Sequence, residues 1–107
     1  MRYLLLLCSD ETTPTMDFLP GCAEWSDALR ARKALVTTVG LHPPESSSTV
    51  RVRAGEVLLT DGPFAETKEQ MGGFAVIEAA DETEARRLAA THPWARIGVI
   101  EVRQVIE

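Results

Sequence analysis

Two stretches of this chain are apolar at every position, and they restrict its possible folds more than any other feature. Residues 3–8 read Tyr3-Leu4-Leu5-Leu6-Leu7-Cys8, and residues 74–77 read Phe74-Ala75-Val76-Ile77. Side chains of a strand alternate between two faces, so a strand with no polar set needs both faces covered. Only two segments have helical spacing. Within 21–33, Trp25, Ala28, Leu29 and Arg32 recur at intervals of three and four. The second begins at a capping box, with Asp81 as cap and Glu84 reaching back, carries Ala85, Leu88 and Ala89 as its stripe, and ends before Pro93. Two helices cover one face of a sheet. The other face must meet something else, and a second copy about a two-fold axis is the commonest answer.

The remaining segments fill in the order. Residues 35–39 are rich in β-branched types and stop at Gly40. Residues 49–53 and 56–60 flank Ala54-Gly55 as a hairpin. A two-residue turn sets Arg53 opposite Glu56 and Val52 opposite Val57. Ala54 fits a mirror-image turn less well than glycine does, which leaves a bulged turn open. A further strand covers 72–79, where Gly72-Gly73 calls for a bulge or a close backbone approach. The last strand covers 98–105, with Glu101 and Arg103 on one face. Residues 9–20, 40–48 and 61–71 are loops. The succession strand, helix, strand, hairpin, strand, helix, strand is an α+β fold. With the hairpin set aside, it is the ferredoxin-like βαββαβ core, here in one domain over 1–107.

Composition removes several function classes. The chain has 107 residues and a net charge of −5, with its basic residues scattered among acids. Such a field repels phosphate backbones, so no nucleic-acid role is expected. No segment has the apolar length of a membrane span, and the opening run ends in Ser9-Asp10-Glu11 instead of a cleavage site, so it reads as a strand and not a signal peptide. Cys8 and Cys22 could pair, but nothing else suggests a secreted disulfide scaffold, and reduced thiols in the cytoplasm are expected. Cys8, ending a buried strand, reads as a small inert hydrophobe. Two histidines far apart, with no cysteine or carboxylate at ligand spacing, do not make a metal site.

Candidate chemistry centres on the run from Thr60 to Phe74. Asp61 ahead of Gly62-Pro63 has a plain reading as a turn residue bonding nearby amides. Its functional reading is a carboxylate at a strand end, usable as a general base or a hydrogen-bonding anchor. Phe64 reads more simply as the hydrophobic plug of its own loop than as a stacking platform. Glu66 and Lys68 are a solvated loop face, or a polar lid in which Lys68 meets an anionic group. Asp10, just past the first strand, could reach the same cleft. His92, at a helix end, reads as complementing the helix dipole. His42 lies in a proline-rich loop, and imidazole is the usual acid–base group near neutral pH. Trp25 and Trp94 read as core or interface anchors.

The run Thr60-Asp61-Gly62-Pro63-Phe64-Ala65-Glu66-Thr67-Lys68-Glu69-Gln70-Met71-Gly72-Gly73-Phe74 resembles the DGPF proteins, a branch of the YCII-related family of dimeric α/β-barrel domains. Further matches are Arg2-Tyr3-Leu4-Leu5-Leu6, Gly40-Leu41-His42-Pro43-Pro44, Thr49-Val50-Arg51-Val52-Arg53 and Glu101-Val102-Arg103, so the likeness spans essentially the whole chain. It implies a ferredoxin-like homodimer with a pocket between sheet and helices. In the YCII branch it also implies a histidine–aspartate pair with the histidine on the first helix. Residues 21–33 contain no histidine, so that pair does not transfer.

The expectation is therefore a homodimer with a pocket for a small organic ligand and cofactor-free acid–base chemistry of lyase or isomerase type. Asp61 and His42 are the candidate catalytic residues, with Asp10, Pro63, Phe64, Lys68, Gly73 and Phe74 around the ligand. The alternative is a non-catalytic ligand-binding or protein-interaction dimer. A third reading, a monooxygenase of the dimeric-barrel type, needs a large cavity for an aromatic substrate or haem, and an aromatic content of 6% gives it little support.

Overall fold

A computed structural model of the chain describes residues 1–9, 13, 19–64 and 70–107. Its elements in order are β1 (Arg2–Ser9), α1 (Cys22–Ala31), β2 (Leu35–Gly40), β3 (Ser48–Arg53), β4 (Glu56–Asp61), β5 (Gln70–Glu78), α2 (Glu82–Ala90) and β6 (Val99–Gln104). Short 3-10 turns at Pro44–Ser46 and Pro93–Arg96 precede β3 and β6. Four strands form an antiparallel sheet in the order β2-β5-β1-β6, and β3 and β4 form a separate two-stranded sheet. The four-stranded order is that of the ferredoxin-like fold, in agreement with the α+β succession read from the sequence.

The two wholly apolar segments become the two central strands, β1 and β5. Tyr3, Leu5, Ala75 and Ile77 point toward the helices and are buried. There they meet Trp25 and Leu29 of α1 and Ala85, Leu88 and Ala89 of α2 in one continuous core. Trp25 ties the two helices together, its indole N–H donating to Leu88 O at 3.2 Å and to Thr91 Oγ1 at 3.0 Å. The opposite face carries Leu4 across from Val76 and Leu6 across from Phe74, all half-buried. Among the described residues no helix packs on that side. Its borders are charged: Arg2 donates to Glu78 at 2.8 Å, and Arg103 pairs with Glu101.

Local signals match the expected elements closely. Asp81 caps α2, accepting from Glu84 N at 2.9 Å, which satisfies one of the amides that a helix start leaves unpaired. The hairpin register sets Arg53 opposite Glu56 and Val52 opposite Val57, as its turn length requires. No bulge interrupts the turn: Ala54 at φ 53 and Gly55 at φ 79 form a two-residue mirror-image turn, so Ala54 itself adopts the left-handed conformation. Both devices anticipated for Gly72-Gly73 occur. The β1–β5 register passes from Leu7–Gly73 to Cys8–Met71, leaving Gly72 as the extra residue of a bulge. A Cβ on Gly73 would lie 2.7 Å from Val39 O, so β2 approaches there as only glycine permits.

His92 departs from its expected role. It is 4% exposed, its ring meets Trp25 edge-on with centroids 4.5 Å apart, and its Nδ1 accepts from Trp94 N at 2.9 Å. Burial lowers its pKa. The ring is a neutral cap for the 3-10 turn Pro93–Arg96, not a cation placed to complement a dipole.

Candidate functional site

The loop after β2 is pinned back to the sheet by Leu41 N–H donating to Gly72 O at 2.9 Å. From there Pro43-Pro44 turns the chain into the 3-10 segment, and Ser46 Oγ closes that turn on Pro43 O at 2.8 Å. The base of the hairpin is then tied across its two strands. Gly62 N–H donates to Ser47 O at 2.7 Å, and Thr49 Oγ1 donates to Gly62 O at 2.8 Å. Gly62 makes these bonds at φ +90, a left-handed conformation that a side chain would strain. The Asp-Gly-Pro-Phe run is therefore the hinge between the hairpin base and the segment leading to β5.

These ties enclose a cleft of about 540 Å³ at the end of the sheet. Its walls are Leu41, His42, Pro43 and Pro44 from the loop, Ser46 to Thr49 from the turn and β3, Pro63 and Phe64 from the hinge, and Cys8, Gln70 and Met71 from the strand ends. Among the described residues its titratable side chains are His42 and Cys8. Three lining hydroxyls already donate to backbone carbonyls, those of Ser46, Ser47 and Thr49. They can still accept from a ligand, and the Ser48 hydroxyl and the His42 imidazole are further polar groups. A mostly apolar cleft with few polar groups suits a small organic molecule.

Of the residues singled out in the sequence, His42, Pro63 and Phe64 come together on this cleft although about twenty positions separate them. Asp61 stands outside the lining, exposed at the end of β4 opposite Ser48. The turn expected to hold its carboxylate is closed by backbone bonds of Gly62 instead. Gly73 is buried beneath β2, and Phe74 lies on the open sheet face; neither lines the cleft. Asp10, Glu66 and Lys68 lie outside the described residues. Phe64 is 78% exposed, so among the described residues it forms part of the cleft wall and not a plug within its own loop.

The sequence reading missed Cys8, Met71 and the three serines as lining residues. Only the serines left a trace, as a polar cluster between two strands. A second cleft of about 510 Å³ lies on the helix side, lined by Glu24, Trp25, Arg32, Thr91, Pro93 and Arg96 among others. Neither histidine lines it, nor does any residue of the Asp-Gly-Pro-Phe run. Cys22, at the start of α1, has its pKa raised by burial and by Glu24, which disfavours the nucleophilic thiolate. Cys8 and Cys22 are not joined in a disulfide. Among the described residues no three His, Cys, Asp or Glu side chains are grouped to hold a metal ion, and no helix is long and apolar enough to cross a membrane.

Comparison with known proteins gives two findings. A family model, the YCII-related domain, matches residues 1–107. An uncharacterized protein, R00369 of Rhizobium meliloti (strain 1021), is 45% identical over 67 residues, which is 59% of this chain and 52% of that protein. The chain thus matches about half the length of this relative.

Proposed function

The chain belongs to the YCII-related family, and we propose that it works as a homodimer binding a small polar organic molecule in the cleft around His42. The observation that carries this reading is the meeting of His42, Pro63 and Phe64 on one cleft of about 540 Å³. The long Thr60–Phe74 run supports placing the chain in the DGPF branch. The open face of Leu4, Leu6, Phe74 and Val76 supports pairing through the sheet, as in a dimeric α/β barrel. Two cysteines without a disulfide fit a cytoplasmic protein.

Within the cleft His42 is the proton-transfer group for cofactor-free lyase- or isomerase-type chemistry, the imidazole being suited to both donating and accepting near neutral pH. Asp61, across from Ser48 at the edge of the cleft, is the carboxylate that would assist His42 from outside the lining. A screen of small hydroxy and keto acids by amide chemical-shift mapping tests the assignment. Ligands are expected to shift Leu41, His42, Ser47 and Met71, and His42→Ala is expected to weaken binding about tenfold, the loss of one hydrogen bond of about 1.4 kcal/mol. Asp61→Asn is expected to change affinity less than His42→Ala. Shifts confined to the helix-side cleft would refute the site.

A second reading is favoured by one observation: beside His42 and Cys8, the described lining holds no other titratable group to complete an acid–base pair. In it the protein binds without turning its ligand over. The two readings separate by incubating a bound ligand with the protein and following it by NMR, since only the enzyme converts it.

A further inference from the structure

The hairpin β3–β4 stands apart from the rest of the molecule. Among the described residues it is a two-stranded sheet with no hydrogen-bonded neighbour strand, held at its base by the bonds among Ser47, Thr49 and Gly62. The radius of gyration is 15.6 Å, against about 13 Å expected for a compact chain of this length. One face of the ribbon is formed by the cross-strand pairs Val50–Leu59 and Val52–Val57. These four side chains are 62%, 73%, 56% and 63% exposed respectively, so among the described residues nothing covers them. A lone two-stranded ribbon is marginal in water, and an uninterrupted apolar face needs cover to keep its register.

We infer that this hairpin is an exchanged arm: in the dimer proposed above, on which this inference rests, its Val50, Val52, Val57 and Leu59 face is covered by a second copy of the chain. Among the described residues each chain offers two apolar surfaces on which no other element packs, the exposed arm and the half-buried sheet face. A two-fold axis lets each copy satisfy the other in one closed contact, because an isologous interface uses the same surfaces twice. Charge argues against a lipid surface as the occupant. The arm's polar positions Arg51 and Arg53 are balanced by Glu56 and Asp61, and the chain carries −5 overall, whereas a membrane-surface element needs a basic stripe.

The experiment compares the full chain with two variants. Val57→Lys with Leu59→Glu changes only side chains exposed in the single chain, so its fold should survive by far-UV circular dichroism; Leu6→Glu probes the sheet face. Sedimentation equilibrium is expected to show the arm variant dissociating at least thirtyfold more readily than the unsubstituted chain. In a mixture of labelled and unlabelled unsubstituted protein, isotope-filtered NOEs are expected from the arm's valine and leucine methyls to the other copy. Arm methyls without inter-copy NOEs, or an arm variant pairing as tightly as the parent, overturn the arm. If Leu6→Glu still dissociates the dimer, the sheet-face reading survives that failure. An unsubstituted chain that stays monomeric overturns both.

Discussion

Gly98 has no side chain because the space for one is occupied. A Cβ there would lie 2.5 Å from Trp94 Nε1 and 2.6 Å from Cys8 O, the two atoms of a 2.8 Å hydrogen bond that fastens the 3-10 turn to the end of β1. Gly98→Ala is therefore expected to break that bond and destabilise the fold by about 1–3 kcal/mol, measured by urea unfolding with tryptophan fluorescence as the probe. Unchanged stability would show that the turn gives way freely. His92 makes a separate prediction at the same scale. Burial holds its pKa below the ordinary value, so the folded state keeps the ring neutral. An unfolded histidine titrates near about 6.5. Between that value and the lower folded one, the unfolded chain binds more protons. This contribution is full above about pH 6.5 and is lost as the pH falls through the folded-state value. In His92→Asn the side-chain oxygen can still accept from Trp94 N, and the loss of stability on acidification should shrink. Parent and variant curves of equal slope would remove His92 as the cause.

Among the elements, α2 and the hairpin depend on single positions in opposite ways. The Asp81 carboxylate satisfies the Glu84 amide, and Asp81→Ala is expected to cost about 1 kcal/mol in the thermal unfolding of the whole chain. Ala54 works against its element, since at φ 53 its Cβ crowds the backbone. Ala54→Gly is expected to stabilise the chain by about 0.5–1 kcal/mol without changing the Arg53–Glu56 register, readable from cross-strand NOEs. A destabilised Ala54→Gly would mean that the turn draws its order from contacts beyond the hairpin.

At the scale of the whole molecule, among the described residues helices pack on one side of the sheet only. Leu5 and Ile77 are fully buried under the helices, whereas Leu4, Leu6, Phe74 and Val76 on the reverse remain partly open. Stability should then depend on association: the melting temperature is expected to rise with each tenfold increase in protein concentration, because a partner that binds only the folded chain stabilises it by mass action. A melting temperature independent of concentration, in a chain shown to be monomeric, would remove the dimer from the proposed function.

Features confined to one element or one turn were legible in the residues alone. The unbroken apolar runs of β1 and β5, the period of three and four in both helices, the Asp81 cap and the two-residue hairpin turn each depend on neighbours a few positions away. Together they led to the ferredoxin-like succession. The cleft was legible only in outline. His42, Pro63 and Phe64 could be picked out by chemistry, but Cys8 and Met71 come opposite each other only because Gly72 is bulged out of β5. Asp61 falls outside the lining, exposed at the end of β4 where the register sets it opposite Ser48. The seating of His92 under Trp25 likewise depends on how α1 meets the segment after α2. Periodicity reports which side of its own element a residue occupies; which elements then come face to face is set by register, bulges and loop closure between distant segments, and only the folded chain decides those.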